Sequence, residues 1–337
     1  MKGKMKLKQN SFLLLVTILL FFIMYGIGCV LFNAQGFSKT QNFLNLFISN
    51  AGLIVIGIGM TVVMITGGID ISVGSFVAMG CMMLAWMMEK GGIGAVPAVI
   101  IVLVTGIVFG LVQGFLVAYM DIQPFIVTLA GMFFARGMTT IVHTDPFNVQ
   151  NKAFVALKDT RVIVPGMGSV NRIGKYVDAY VEIGVIVALL IVVLMFVMLR
   201  WSKLGRAFYA VGGNKQSALM LGINVKRTRF LAQLFSGVLA GIAGYVYFLH
   251  VGSGSASHAT GMEMNAIASS IIGGTLLTGG VGNIIGTFFG VLSLSTIQNI
   301  VSSAGLDQAW WTGITIAAML CLFLVIQSIV MARKNRG

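Results

Sequence analysis

Few residues in this chain have the type and spacing that chemistry needs. No G-x-x-x-x-G-K-[ST] phosphate loop is present: the nearest Gly-Lys pair, Gly174-Lys175, is followed by Tyr176 and lacks the glycine spacing. No H-E-x-x-H occurs, and His143, His250 and His258 share no metal-ligand spacing with carboxylates. There is no G-x-S-x-G elbow on a strand-to-helix turn. Cys29, Cys81 and Cys321 are far apart inside apolar stretches and read as small buried hydrophobes. If this protein does uphill work, the motor sits on another chain.

Charges inside apolar stretches are the next candidates, because a charge in hydrocarbon is costly and defaults to a functional hypothesis. Three stand out: Asp70 at a glycine-rich break, Arg136 late in an apolar helix, and Glu263 at the head of another. No midplane carboxylate relay is evident, which lowers the class of proton- or sodium-coupled transporters. Asp70 and Ser72 also fit a local role, accepting the free backbone N–H groups at the start of the helix near Ile71.

The elements that position these residues are set by composition. Of 337 residues, 58% are hydrophobic and 9% charged, against about 25% charged in soluble domains. Mean hydropathy is +0.97. A span needs roughly 20 apolar residues, and the apolar stretches read as ten helices: 11–32, 47–66, 71–88, 94–119, 124–142, 180–200, 229–250, 264–279, 283–302 and 310–331. The first is too long for a signal-peptide core and reads as a signal-anchor span.

The net charge of +13 is placed for topology rather than for nucleic acid. Lys2, Lys4, Lys6 and Lys8 precede the first span. Arg200, Lys203, Arg206, Lys215, Lys226, Arg227 and Arg229 crowd the segment after the sixth, and Arg333, Lys334 and Arg336 end the chain. Basic residues concentrate on the cytoplasmic side, so both termini and residues 201–228 are expected inside. Residues 143–179 are then the one sizeable extracytoplasmic loop, expected to carry short structure or to lie over the outer mouth. The expected fold is an all-α polytopic membrane protein of ten helices, one domain over residues 1–337.

Two features hint at internal repetition and close packing. Gly67-Gly68-Ile69-Asp70-Ile71-Ser72-Val73-Gly74-Ser75 and Gly273-Gly274-Thr275-Leu276-Leu277-Thr278-Gly279-Gly280-Val281-Gly282 each interrupt an apolar segment, a pairing that points toward a transporter's central site. Glycines at four-residue spacing, such as Gly106, Gly110 and Gly114 or Gly237 and Gly241, allow close helix approach, as a moving interface or as static packing. Within 201–228, residues 214–221 read as a short amphipathic helix capped by Asn214 and closed by Gly222. It suits docking into a partner's groove or lying on anionic lipid; the residues alone leave both open.

Resemblance adds to this reading. Gly-Arg-Ala-Phe-Tyr-Ala-Val-Gly-Gly-Asn at 205–214 with Leu-Gly-Ile at 221–223 resembles the coupling loop of ABC permeases for ribose, xylose, galactose and related sugars. Gly59-Met60-Thr61, the first glycine break, and Asn265-Ala266-Ile267-Ala268 followed by Ile272-Gly273-Gly274-Thr275 resemble other motifs of that family, over about residues 12 to 331. Residues 125–137 and Trp310-Trp311-Thr312 are most similar to the second permease of the galactofuranose importer. Asn265 and Ser269 depart from the family's commoner Asp/Glu-Ala-Ile-Ala-Ala form.

The resemblance implies a permease subunit that binds no cofactor and imports a monosaccharide. It would pair with a second permease, identical or homologous. ATP-Mg would sit on a separate ATPase, and an extracytoplasmic sugar-binding protein would deliver substrate. Gly205, Arg206, Gly212, Gly213, Asn214, Ala218, Gly222 and Ile223 would form the ATPase-coupling loop, and Thr66, Asp70, Ser72, Asn265 and Thr275 would flank the substrate path. The alternatives are a permease for branched-chain amino acids or another small solute, an ion-coupled secondary transporter working alone, and a non-transporting scaffold.

Overall fold

A computed structural model describes residues 2–170, 176–306 and 308–335. Arg172, Lys175 and Arg336, used above for topology, lie outside the described residues. The helices are α1 (Lys2–Leu31), α2 (Thr40–Ile65), α3 (Val73–Glu89), α4 (Ala95–Ala118), α5 (Pro124–Val142), α6 (Lys152–Lys158), α7 (Ile183–Trp201), α8 (Lys203–Gly213), α9 (Lys215–Met220), α10 (Val225–Val251), α11 (Met262–Ile272), α12 (Ile284–Ser303) and α13 (Ala309–Asn335). Each expected span has a helical counterpart. Among the described residues seven are long and apolar enough to cross a membrane, and α3 and the described part of α13 are shorter apolar helices.

The span expected over 264–279 ends early. Helix α11 has 11 residues, about 16 Å at 1.5 Å per residue, roughly half the hydrocarbon thickness. It stops where Gly274 takes the left-handed conformation (φ +85°). There the Gly274 amide donates to the Ile271 carbonyl and the Thr275 amide to that of Ser270, both at 2.9 Å. Helix α2 ends the same way: Gly67 (φ +84°) donates to Met64 at 2.9 Å and Gly68 to Val63 at 3.1 Å. This paired bonding satisfies carbonyls that a helix end would otherwise leave bare. The two glycine breaks read as a repeat thus share one helix-ending geometry.

Helix α2 is the central post, with 89% of its most apolar 18-residue window buried against 22% for α4 and α5. It packs on α10, α12, α11 and α7, while α4 covers α10. A Cβ built on Gly237 would lie 2.6 Å from the Gly110 Cα, and one on Gly106 would lie 2.8 Å from the Gly237 carbonyl oxygen. The glycine spacing therefore serves backbone-to-backbone packing here, the mode expected where lipid supplies no hydrophobic drive between helices. Val96, Ile100, Phe133, Leu190 and Val193 stand exposed around the outside, as a lipid-facing surface requires.

Segment 143–179 carries short structure, and the last strand runs on to Glu182. Beyond α6, it forms a hairpin of β2 (Arg161–Val170) with β3 (Tyr176–Glu182), while β1 (Phe147–Asn148) pairs with β4 (Ser253–Gly254). Residues 180–182, expected to open the sixth span, belong to the hairpin because Arg161, Val162 and Ile163 pair with Glu182, Val181 and Tyr180. At this end Arg136 Nη1 donates to the carbonyls of Ala256 (2.9 Å) and His258 (2.8 Å). That fixes an interfacial arginine to backbone oxygens of the 252–261 segment.

Candidate functional site

Residues 201–228 hold two helices rather than one. The sequence marks α9 plainly: Asn214 Oδ1 accepts from the Ser217 amide at 2.8 Å, an N-cap, and Gly222 (φ +76°) ends it. The Gly222 amide donates to Leu219 at 2.9 Å and that of Ile223 to Ala218 at 3.0 Å. Ile223 and Ala218 then close a small core with Val211 and Val225, completing the hydrophobic contact typical of this cap.

The preceding α8 is less legible, because Gly205, Gly212 and Gly213 each weaken a helix by about 1 kcal/mol. It is held by Ser202, whose hydroxyl accepts from the Gly205 amide at 2.9 Å, and by Phe208, fully buried. Gly205 lies so close to the Leu199 carbonyl at the end of α7 that a Cβ there would overlap it. Arg206 is exposed and donates to the Trp201 carbonyl at 3.2 Å.

Both glycine breaks converge on the end of α8. The Gly280 amide donates to the Ile65 carbonyl, the last of α2, at 2.8 Å. A Cβ on Gly212 would overlap that same carbonyl oxygen, and one on Gly279 would lie 2.9 Å from the Gly67 amide nitrogen and 3.0 Å from the Gly212 oxygen. Tyr209 donates its hydroxyl to the Gly282 carbonyl at 2.9 Å. Thus α2, segment 273–283 and α8 meet through main chain with almost no side chain between them. A displacement of α8 has no soft layer in which to dissipate. A Cβ built on Gly213, by contrast, would point into open space, although one on Gly280 would lie 2.6 Å from the Gly213 Cα.

The opposite face of α9 is free. Leu219, Met220 and Leu221 are 65%, 86% and 78% exposed. Beside them Asp121, at the α4–α5 turn, accepts from Arg229 at 2.9 Å and lies 3.9 Å from Lys215. The Arg229 hydrogen bond, followed by the Lys215 charge, holds the Asp121 carboxyl below the usual carboxylate range.

The residues expected along a substrate path do not form one cluster. Asp70 is 1% exposed; its Oδ1 accepts from the Ser72 amide (3.0 Å) and hydroxyl (2.5 Å), and its Oδ2 accepts from Ser236 of α10 at 2.7 Å. Gln113 of α4 donates to the Ser72 hydroxyl at 2.9 Å, and Gln233 of α10 donates to Gln113 at 3.4 Å. This network ties the first break to α3, α4 and α10. Thr66 donates back to Val63 at 2.7 Å. Thr275 is fully buried, and its hydroxyl has no partner among the described residues. Asn265 stands apart, on the wall of a depression at the far end of α2.

The sequence reading missed Ser236, Gln113 and Gln233, and also Thr61, whose hydroxyl donates to Gly57 (2.9 Å) and lies 2.5 Å from that of Thr287 and 3.1 Å from that of Ser270. The signal available was an uncharged polar side chain inside an apolar span, which in a bilayer seeks a partner across helices.

The comparisons with known proteins agree with this architecture. A family model described as "Branched-chain amino acid transport system / permease component" matches residues 42–324, and the chain belongs to this family of polytopic membrane permeases. The fructose import permease protein FruG of Bifidobacterium longum is 36% identical over 332 residues, covering 98% of this chain and 95% of its own length. The inner membrane ABC transporter permease protein YjfF of Escherichia coli is 36% identical, covering 93% and 91%. The ribose import permease protein RbsC of Bacillus subtilis is 33% identical, covering 81% and 80%. No solved structure matches.

Proposed function

We propose that this chain is the permease subunit of an ATP-driven importer that moves a monosaccharide across a bacterial inner membrane. A separate ABC ATPase docks on α8 and α9 from the cytoplasm. A second permease completes the membrane unit, and an extracytoplasmic binding protein delivers the sugar. The substrate belongs to the neutral sugars named for the relatives (fructose, ribose) and, by motif, to the galactofuranose type.

The observation that carries this reading is the main-chain junction of α8 with both glycine breaks, beneath an α9 that presents Leu219, Met220 and Leu221 outward. An amphipathic helix with free apolar side chains fits a groove on a partner, and the rigid contact behind it passes a push from that partner to α2 and α12. Closure of the ATPase would shift α8, and the breaks at 66–72 and 273–283 would then move together.

Co-purification tests the docking. Wild-type chain retains a co-expressed ABC ATPase through affinity purification in mild detergent, and Leu219→Asp with Met220→Asp releases it. Retention of the ATPase by that double variant, or by a chain with both Arg206 and Asn214 replaced, shows that the subunit docks elsewhere.

A further inference from the structure

At the end of the bundle away from α8 and α9, a shallow, widely open depression of about 320 Å³ lies between α2, α10, the 252–261 segment and α11. Asn50 on its wall lies fifteen residues before Ile65, roughly 22 Å along α2 at the helical rise. The volume sits at the small end of the ~300–1,000 Å³ range of small-molecule sites. Its polar wall includes Ser49, Asn50, Tyr247, His258 and Asn265, and its apolar wall Leu53, Ala259 and Met262. Among the described residues no Asp, Glu, Lys or Arg lines it.

Several of these polar groups have capacity to spare. The backbone N–H of Asn265 donates to the Gly261 carbonyl at 3.1 Å, while its side-chain amide makes no hydrogen bond among the described residues. Asn50 spends its Nδ2 on the Leu46 carbonyl (2.9 Å) and the Ser295 hydroxyl (2.8 Å), which leaves Oδ1 unused. His258 uses Nε2 on Ser253 at 3.1 Å, and burial lowers its affinity for a proton, favouring the neutral ring. Its ring meets that of Tyr247 edge to face at 5.6 Å. Arg136 fixes the segment from behind through the carbonyls of Ala256 and His258. The neighbouring carboxylate of Glu263 packs against Gly74 of α3. Below the depression the way is shut: Gly57 of α2 packs on Ser269 and Thr287, and Gly290 on the Ser269 carbonyl.

We propose that this cup is a low-affinity receiving site for a neutral polyhydroxylated solute, a monosaccharide, whose hydroxyl edge the Asn50 and Asn265 amides read while its C–H face lies on Tyr247 and His258. An amide offers both a donor and an acceptor, as each hydroxyl requires. A wall without fixed charge gives an ionised sugar nothing to replace its hydration. The site rests on the importer reading for its place on the route: substrate released at the mouth waits above the closed α2–α11–α12 contact until the glycine breaks move.

Saturation-transfer NMR on the full-length chain in nanodiscs tests this, with D-ribose, D-fructose and D-galactose as neutral probes and D-glucuronate and D-glucosamine as charged ones. Wild type gives saturable signals with neutral sugars and weaker ones with both charged probes. Asn265→Leu, which breaks no side-chain hydrogen bond among the described residues, cuts the neutral signal about fivefold, as expected for one lost hydrogen bond. Asn265→Asp turns the preference toward glucosamine, a reversal that misfolding does not produce. Absence of a neutral-sugar signal, an equal signal from glucuronate, or neutral binding untouched by Asn265→Leu overturns the site. ATP-driven uptake by the assembled importer without that signal leaves the importer reading standing. The signal without ATP-driven uptake removes the importer reading and leaves the site.

Discussion

Gly280 donates its amide hydrogen to the carbonyl of Ile65 at 2.8 Å, joining the second glycine break to the end of the central helix. The bond sits against Gly212 of α8, so three segments distant in sequence share one carbonyl. Everything proposed for coupling depends on how little space that junction contains.

Gly212→Ala is the direct probe of it. A methyl there overlaps the Ile65 oxygen, and overpacking of this kind costs about 1–3 kcal/mol. The variant is expected to melt earlier in detergent and to lose ATP-coupled uptake. Gly213→Ala, one residue on and facing open space, is expected to leave both unchanged. Equal behaviour of the two variants would mean the junction transmits nothing.

Asn214→Ala removes the cap of α9 and is expected to cost about 1 kcal/mol of local helix stability. Asn214→Ser keeps a capping oxygen and is expected to restore ATPase retention. ATPase-stimulated uptake in vesicles, compared for the two substitutions, separates a cap from a direct contact.

Asp70→Ala leaves the Ser72 and Ser236 donors without their acceptor, and a buried donor left unpaired costs ~1–3 kcal/mol. The apparent melting temperature is expected to fall, and Asp70→Asn to fall less. A variant with unchanged melting that no longer transports would instead place Asp70 on the substrate.

The Asp121 clip gives a pH dependence with a defined sign. Its carboxyl titrates below the ordinary value, so its contribution is complete above the unfolded value of about 3.9. That contribution is lost as pH falls through the lower folded value. Because Asp121 is exposed, the effect is small. Wild type and Asp121→Asn are expected to differ in thermal stability near neutrality and to converge in acid.

How much of this was legible in the sequence follows the range of the interactions. The spans are visible because a bilayer demands long apolar runs, and α9 is visible because Asn214 and Gly222 act within one turn. Helix α8 was missed because its three glycines argue against a helix, while Phe208 and the Ser202 cap supply what propensity lacks. The 264–279 span was read too long because its apolar character continues past Gly274, where backbone conformation rather than hydropathy ends the helix. The Asp70 network and the Ile65–Gly280–Gly212 junction join residues far apart in the chain. Local pattern marks the participants and leaves their meeting unspecified.

The most direct test of the account is sugar uptake into proteoliposomes that carry a delivering binding protein, with and without the ABC ATPase. The account predicts uptake only with the ATPase and internal ATP, abolished by Gly212→Ala and indifferent to proton or sodium gradients. Uptake by this chain alone, driven by an ion gradient, would contradict it.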